Sequence, residues 1–229
     1  MKQAIVLVSG GLDSFVTAYY VKKKLKRKIK LLFFDYGQRC LQEELFCAKK
    51  LAKQLQAKLK VIDLKWLGKI STSLINKKHG KKEEIIRWYV PCRNSLFVMA
   101  ALAHAESEFI SKGKQSEIYI GIKYEGELAF KDSSTEFIKK INELAKACVQ
   151  KGNFTIKAPF LDKDKEDIIN LADKLGIRLE DTYSCYVGGG FVKIGRKKIP
   201  VHCGKCAGCK ARKKGFKFSN VEDKTIYLK

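Results

Sequence analysis

No stretch of this chain approaches the roughly 18–20 consecutive apolar residues needed to span a bilayer, so a membrane-spanning helix is not expected. The N-terminus shows no secretory pattern, because Lys2 precedes only a short apolar run before Gly10 and Gly11 interrupt it. The reading is a soluble cytoplasmic protein without a membrane partner. Acidic residues are scarce, 24 against 47 basic ones, and the net charge is +23. Such an excess suits a polyanionic partner, a nucleic acid or an acidic protein. Arginine is scarce as well, at seven of those 47. Bidentate phosphate and base contacts favour arginine, whereas scattered lysine equally covers solvated helix faces. Charge alone therefore does not choose a partner. No internal repeat is visible.

What is present is enough apolar sequence for a sizeable core, 45% of 229 residues. Residues 4–9, 28–35, 59–64, 117–122 and 154–159 read as strands. Helical periodicity covers 14–25, 41–56, 94–109, 135–150 and 164–175. A polar, lysine-rich stretch at 71–84 reads as a mobile connection. Strands alternating with helices predict an α/β fold, a parallel sheet covered on both faces. From Tyr183 the pattern gives way to glycine, cysteine and lysine. The expected division is thus an α/β domain at 1–182 and a smaller C-terminal region at 183–229 packed on it.

The first strand runs into Ser9-Gly10-Gly11-Leu12-Asp13-Ser14. In a parallel sheet, ligands bind beyond the carboxyl ends of the strands. Two glycines let the backbone turn tightly and expose N–H groups to an oxyanion. The following helix adds about 0.3–1 kcal/mol toward binding negative charge. Ser9 and Ser14 offer hydroxyls, and Asp13 can hold Mg²⁺ or orient the loop. A Walker-type loop needs Gly-Lys-Ser/Thr, and a dinucleotide fingerprint needs a third glycine. Neither is present. SGGxDS is instead the signature of N-type ATP pyrophosphatases, which cleave ATP between its α and β phosphates. A plain capped helix start would need less.

Eight cysteines sit at 40, 47, 92, 148, 185, 203, 206 and 209. In a cytoplasmic chain, metal or catalytic roles are favoured over disulfides. Cys203, Cys206 and Cys209 cluster in "HCGKCAGC", with Cys185 upstream across a glycine-rich, basic excursion. One distant and three close thiols fit a closed tetrahedral Zn²⁺ site. An iron–sulfur cluster is the rival, and His202 is a substitute ligand. Cys40, Cys47 and Cys148 read as thiols on helices.

Together with "FDYGQR" (34–39) and "VPCRN" (90–94), these motifs resemble the 7-cyano-7-deazaguanine synthase family nearly end to end. The resemblance extends to Asp164-Lys165, to Thr182, Ser184 and Cys185, and to the C-G-x-C-x-x-C cluster. It implies an adenine nucleotide alpha hydrolase-like fold, a homodimer, and an AMP-forming ligase that uses ATP, Mg²⁺ and Zn²⁺. The implied substrates are a deazaguanine acid and ammonia. Asp13, Arg93 and Lys165 would be catalytic. Ser9 to Ser14, Asp35, Gln38 and Arg39 would serve the nucleotide. Asn94, Phe130 and Asp132 would serve the acceptor.

The chain departs from the family pattern in two places. Where the family reads D-x-S-G-Y-P-D-C, residues 126–133 read "GELAFKDS", and Cys92 replaces the glycine of V-P-G-R-N. A polar recognition site is costly to alter. Two other readings therefore stand beside the small-molecule synthase. One is a related ligase with a nucleic-acid or acidic protein acceptor, and the other a zinc-containing nucleic-acid binder without catalysis. Cys92, beside Arg93, is the thiol that persulfide chemistry would use.

Overall fold

The computed structural model describes residues 2–70, 89–123 and 130–228. The polar connection at 71–84 and residues 126–129 of the altered 126–133 segment lie outside the described residues. Five parallel strands form one sheet: β1 (Gln3–Val8), β2 (Lys28–Asp35), β3 (Lys58–Asp63), β4 (Ser116–Ile120) and β5 (Ile156–Lys157). Their order is β3-β2-β1-β4-β5. The chain thus winds outward from β1 to one edge, then crosses to the other side. That reversal between β1 and β4 is where a doubly wound sheet opens a crevice.

The central strands alternate cleanly. Ala4, Val6 and Val8 of β1 face one layer, while Ile5 and Leu7 face the other. The first layer holds α1 (Leu12–Tyr19), α2 (Leu41–Gln54) and α6 (Lys165–Lys174), through Phe15, Leu51 and Ile169. The second holds the short α3 (Lys65–Ile70), α4 (Arg93–Lys112) and α5 (Thr135–Cys148), through Leu67, Leu102 and Ile141. Burial on both faces explains why β1 and β2 read as unbroken apolar runs. No helix among the described residues is long and apolar enough to cross a membrane.

Several boundaries differ from the sequence reading, each for a local reason. Helix α1 starts at Leu12 and not at Ser14, because Gly11 is already its N-cap. It then widens into a π-helical turn at Tyr20–Lys24. Strand β5 shrinks to two residues at the sheet edge. Its outer backbone is satisfied by a side chain instead of a strand: Ile156 N–H donates to Asn142 Oδ1, and Asn142 Nδ2 donates to Ile156 O, both at 2.9 Å. Such capping removes a sticky edge.

The C-terminal segment is more regular than its composition suggested. Strands β6 (Phe191–Ile194) and β7 (Lys197–Pro200) pair as an antiparallel hairpin. Its tight turn uses Gly195 at φ +58°. Helix α7 (Ala207–Phe218) follows. Its buried stripe is Gly208, Cys209, Arg212, Gly215 and Phe216, with only one large apolar residue, so hydrophobic periodicity hides it. At Gly215 a Cβ would sit 2.3 Å from Lys165 Cγ, so α7 lies directly against α6.

Candidate active site

The loop after β1 is braced by its own hydroxyls. Gly11 N–H donates to Ser9 Oγ at 3.2 Å, and Ser14 Oγ donates to Gly11 O at 3.0 Å. Ser14 Oγ also accepts from Ser9 N–H at 3.2 Å. Gly10 has φ +76°, and a Cβ there would lie 2.3 Å from the carbonyl oxygen of Glu44. The position therefore demands glycine on both conformational and steric grounds. On the opposite side, Gly121 at the end of β4 would drive a Cβ to 2.7 Å from Ser14 Cα. Close approach of β4 to the start of α1 is thus built into a second glycine.

This corner opens into a cavity of about 710 Å³. Of the expected nucleotide residues, Ser9, Gly11, Leu12, Asp13, Ser14, Gln38 and Arg39 line it. Arg93, Lys165, Asn94 and Phe130 line it too, while Gly10, Asp35 and Asp132 do not. The structure thus brings residues from β1, β2, α4 and α6 to one space. Lys165 Nζ donates to both carboxylate oxygens of Asp13, at 2.8 and 2.6 Å. Asp164 fixes the start of α6 through a reciprocal capping box with Asp167, which aims Lys165 from the helix's first turn.

Gln38, Asp35 and Asp132 work mainly on the protein itself. Gln38 is buried; its Oε1 accepts from Tyr36 N–H, and its Nε2 donates to Phe34 O, both at 3.0 Å. Asp35 accepts from Gly37 N–H at 3.1 Å and pairs with Lys65 at 3.5 Å. Asp132 accepts the Asn94 N–H at 3.2 Å, and its carbonyl takes Asn94 Nδ2 at 3.0 Å. The start of α4 is thereby capped from across the chain. Arg93 lies 5.9 Å over the Tyr36 ring, and Phe130 stacks on Tyr89 with centroids 5.3 Å apart. Cys92, at the N-cap of α4, adopts φ +54°. That left-handed conformation is what a glycine would accept without strain.

Residues that sequence reasoning passed over also line the cavity, among them Glu44 and Arg212. Burial raises the Glu44 carboxyl to about 7, against the lowering effect of its Gln38 hydrogen bond and nearby Arg93. Arg212 is 1% exposed. Its guanidinium donates to Thr182 Oγ1, Thr225 Oγ1 and Leu179 O, each at 2.8 Å. Glu44 lies just past "FDYGQR", which was a usable signal. Arg212 sits among lysines and gave none.

The C-terminal cysteines adjoin the same space. Sγ atoms of Cys185, Cys203, Cys206 and Cys209 lie within 4.8 Å of one another and form a four-cysteine metal-binding site. Backbone N–H groups point at the sulfurs: Gly188 and Cys203 to Cys185 at 3.3 Å, Tyr186 to Cys206 at 3.3 Å, and Cys206 to Cys203 at 3.4 Å. Such donors favour thiolate over thiol. His202 is not a ligand; its Nε2 accepts Ser184 N–H at 3.0 Å, and burial, then Arg212, lower its pKa to about 3. Tyr183 N–H donates to Gly10 O at 2.9 Å, tying the cysteine segment to the glycine loop.

A family model described as queuosine biosynthesis protein QueC matches residues 3–220. The chain is 36% identical over 245 residues to a 7-cyano-7-deazaguanine synthase of Methanosphaera stadtmanae, covering 99% of both chains. A synthase of the same name from Nitratiruptor sp. is 36% identical over 232 residues, at 98% of each. Among solved structures, the U34-tRNA thiolase NcsA of Methanococcus maripaludis with its 4Fe-4S cluster aligns at 16% identity, with a TM-score of 0.48 over 77% of this chain and 58% of that one. The NH3-dependent NAD synthetase of Campylobacter jejuni aligns at 19% identity and TM-score 0.38, over 78% and 66%.

Proposed function

The chain belongs to the QueC family of queuosine biosynthesis proteins, and from that premise we propose that it converts 7-carboxy-7-deazaguanine and ammonia to 7-cyano-7-deazaguanine at the expense of ATP. The observation that carries this reading is the SGGLDS loop at the sheet's switch point, opening into a cavity lined by Arg39, Arg93, Lys165 and Arg212. A carboxylate is a poor acyl donor because oxide is a poor leaving group. Its attack on the α-phosphate expels pyrophosphate and makes an acyl-adenylate, which ammonia converts to the amide. A second adenylation of the amide oxygen, with loss of AMP, leaves the nitrile.

Each residue then has a physical task. The glycine loop and the start of α1 present N–H groups to phosphate oxygens. Lys165, held by Asp13, sets a cation beside that loop, where charge builds as pyrophosphate departs. Arg93 serves the acceptor side, with Asn94 and Asp132 holding its helix in place. The Mg²⁺ expected at Asp13 would share that carboxylate with Lys165, whose ammonium lies at both oxygens.

We assign zinc to the four cysteines. Tetrahedral Zn–S bonds of about 2.3 Å place sulfurs about 3.8 Å apart, and the pairs Cys203–Cys209 and Cys185–Cys206 are each at 3.9 Å. A multi-iron cluster would need thiols spread farther. When bound, zinc would tie Cys185 to the 203–209 cluster within residues 183–229, and it takes no part in the reaction. A small-molecule acceptor and a homodimer belong to the same reading.

The test is product analysis with ATP, ammonia and 7-carboxy-7-deazaguanine. AMP, pyrophosphate and a nitrile are expected. ADP as the nucleotide product would refute the reading. Pyrophosphate release only on adding RNA or an acidic protein would favour the macromolecular acceptor.

A further inference from the structure

Two carboxylates line the cavity among the described residues, Asp13 and Glu44. Asp13 is engaged by Lys165, whereas Glu44 forms no ion pair with a described residue. Its orientation is nonetheless set. Gln38 must turn its carbonyl to Tyr36 N–H and its amide to Phe34 O, so the second amide proton points at Glu44 Oε2, 3.1 Å away. Oε1 has no hydrogen-bond partner among the described residues. The protein thus uses a buried glutamine to hold a carboxylate at the wall of a cavity that Arg39, Arg93, Lys165 and Arg212 also line.

The reaction proposed above needs such a group. Ammonia is mostly ammonium at neutral pH, and ammonium has no lone pair with which to attack. Resting on that reading, we propose that Glu44 is the proton acceptor of the ammonia step. Its carboxylate takes one proton from ammonium, releasing ammonia beside the activated acid. The nitrogen lone pair forms the C–N bond, the C–O bond to AMP breaks, and AMP leaves with that electron pair. The surplus proton on nitrogen passes to solvent as the amide forms. In the second activation, the amide loses one proton as its oxygen is adenylated and another as AMP leaves and the nitrile forms. Glu44 is placed to take these in turn.

The groups facing Glu44 are Arg93 from α4, Tyr36 beyond β2, and Cys40, Glu43 and Cys47 along its own segment. Burial outweighs the arginine and brings the carboxyl to about 7, where a base both accepts and returns protons near neutrality.

The test uses hydroxylamine, an amine that is unprotonated at neutral pH and needs no base. In Glu44→Gln, the rate of ammonia-dependent amide and nitrile formation should fall about 10²-fold or more. Hydroxamate formation from the same acyl-adenylate should stay within about twofold of the unaltered protein. The ammonia rate of the unaltered protein should also rise with pH through about 7, and the variant should lack that inflection. Equal loss with both amines would show a structural or adenylating role and overturn the proposal, as would no loss with ammonia. Failure of the unaltered protein to release pyrophosphate with the deazaguanine acid would overturn the parent reading and this proposal together, before any variant is compared.

Discussion

The glycine loop and the cysteine segment place polar groups around one cavity by opposite means. The loop is local: residues 9–14 brace one another at a strand–helix corner, and the buried sheet beneath carries the cost of the tight turn. The cysteine segment is non-local. Its ligands come from Cys185 and from the 203–209 cluster, with hairpin β6–β7 between them. Its buried contacts are largely thiols and Arg212, not a hydrophobic stripe. A corner made by packing can be lost in increments. A region whose four thiols meet at one metal-binding site would be lost all at once with the proposed zinc.

The largest effect should come from that ion. Cys206→Ser is expected to abolish metal binding and lower the melting temperature by more than about 10 °C, since structural zinc carries about 10–16 kcal/mol of apparent binding energy. Metal content per chain and a thermal melt check this. Because Tyr183 N–H holds Gly10 O, nucleotide turnover should fall with it. Undiminished turnover would show the two regions to be independent.

Asp13→Ala should do the reverse. Pyrophosphate release should drop by about 10²–10³-fold as Lys165 loses its anchor. Stability should change by only about 1 kcal/mol, because the pair is partly solvated. Parallel turnover and urea unfolding separate the two effects.

A smaller effect concerns Glu44. Its folded pKa of about 7 lies above the ordinary 4.5, so the native state prefers the protonated form. That stabilisation is full below about pH 4.5 and is lost as pH rises through 7. Glu44→Gln mimics the protonated form. It should be more stable than the unaltered protein by about 1–2 kcal/mol at pH 8, a gap that closes toward pH 4.5. Urea unfolding at the two pH values tests the sign. Smallest of all, Cys92→Gly should stabilise the protein by up to about 1 kcal/mol in a thermal melt, by relieving the left-handed φ.

The sheet was readable because its strands are buried on both faces and write themselves as apolar runs. SGGLDS was readable because a tight turn before a helix leaves few residue choices. The C-terminal elements were less so. Helix α7 buries glycine, cysteine and arginine, and strand β5 is completed by Asn142 from another helix. Within the site, "FDYGQR" announced polar residues after β2 but not their directions. Gln38 turns inward as a brace, Asp35 turns away from the cavity, and Glu44, one turn further, faces it.

The sequence by itself determined the parallel sheet, the glycine corner and the four-thiol set, because each rests on local stereochemistry or on ligand identity and spacing. Only the tertiary structure decided which charges meet. Asp13 finds Lys165 across 152 positions, and Glu44 forms no ion pair with a described residue, feeling Arg93 only at a distance. Pairing of that kind depends on how far each group is drawn from water and what waits there, and no local pattern records either.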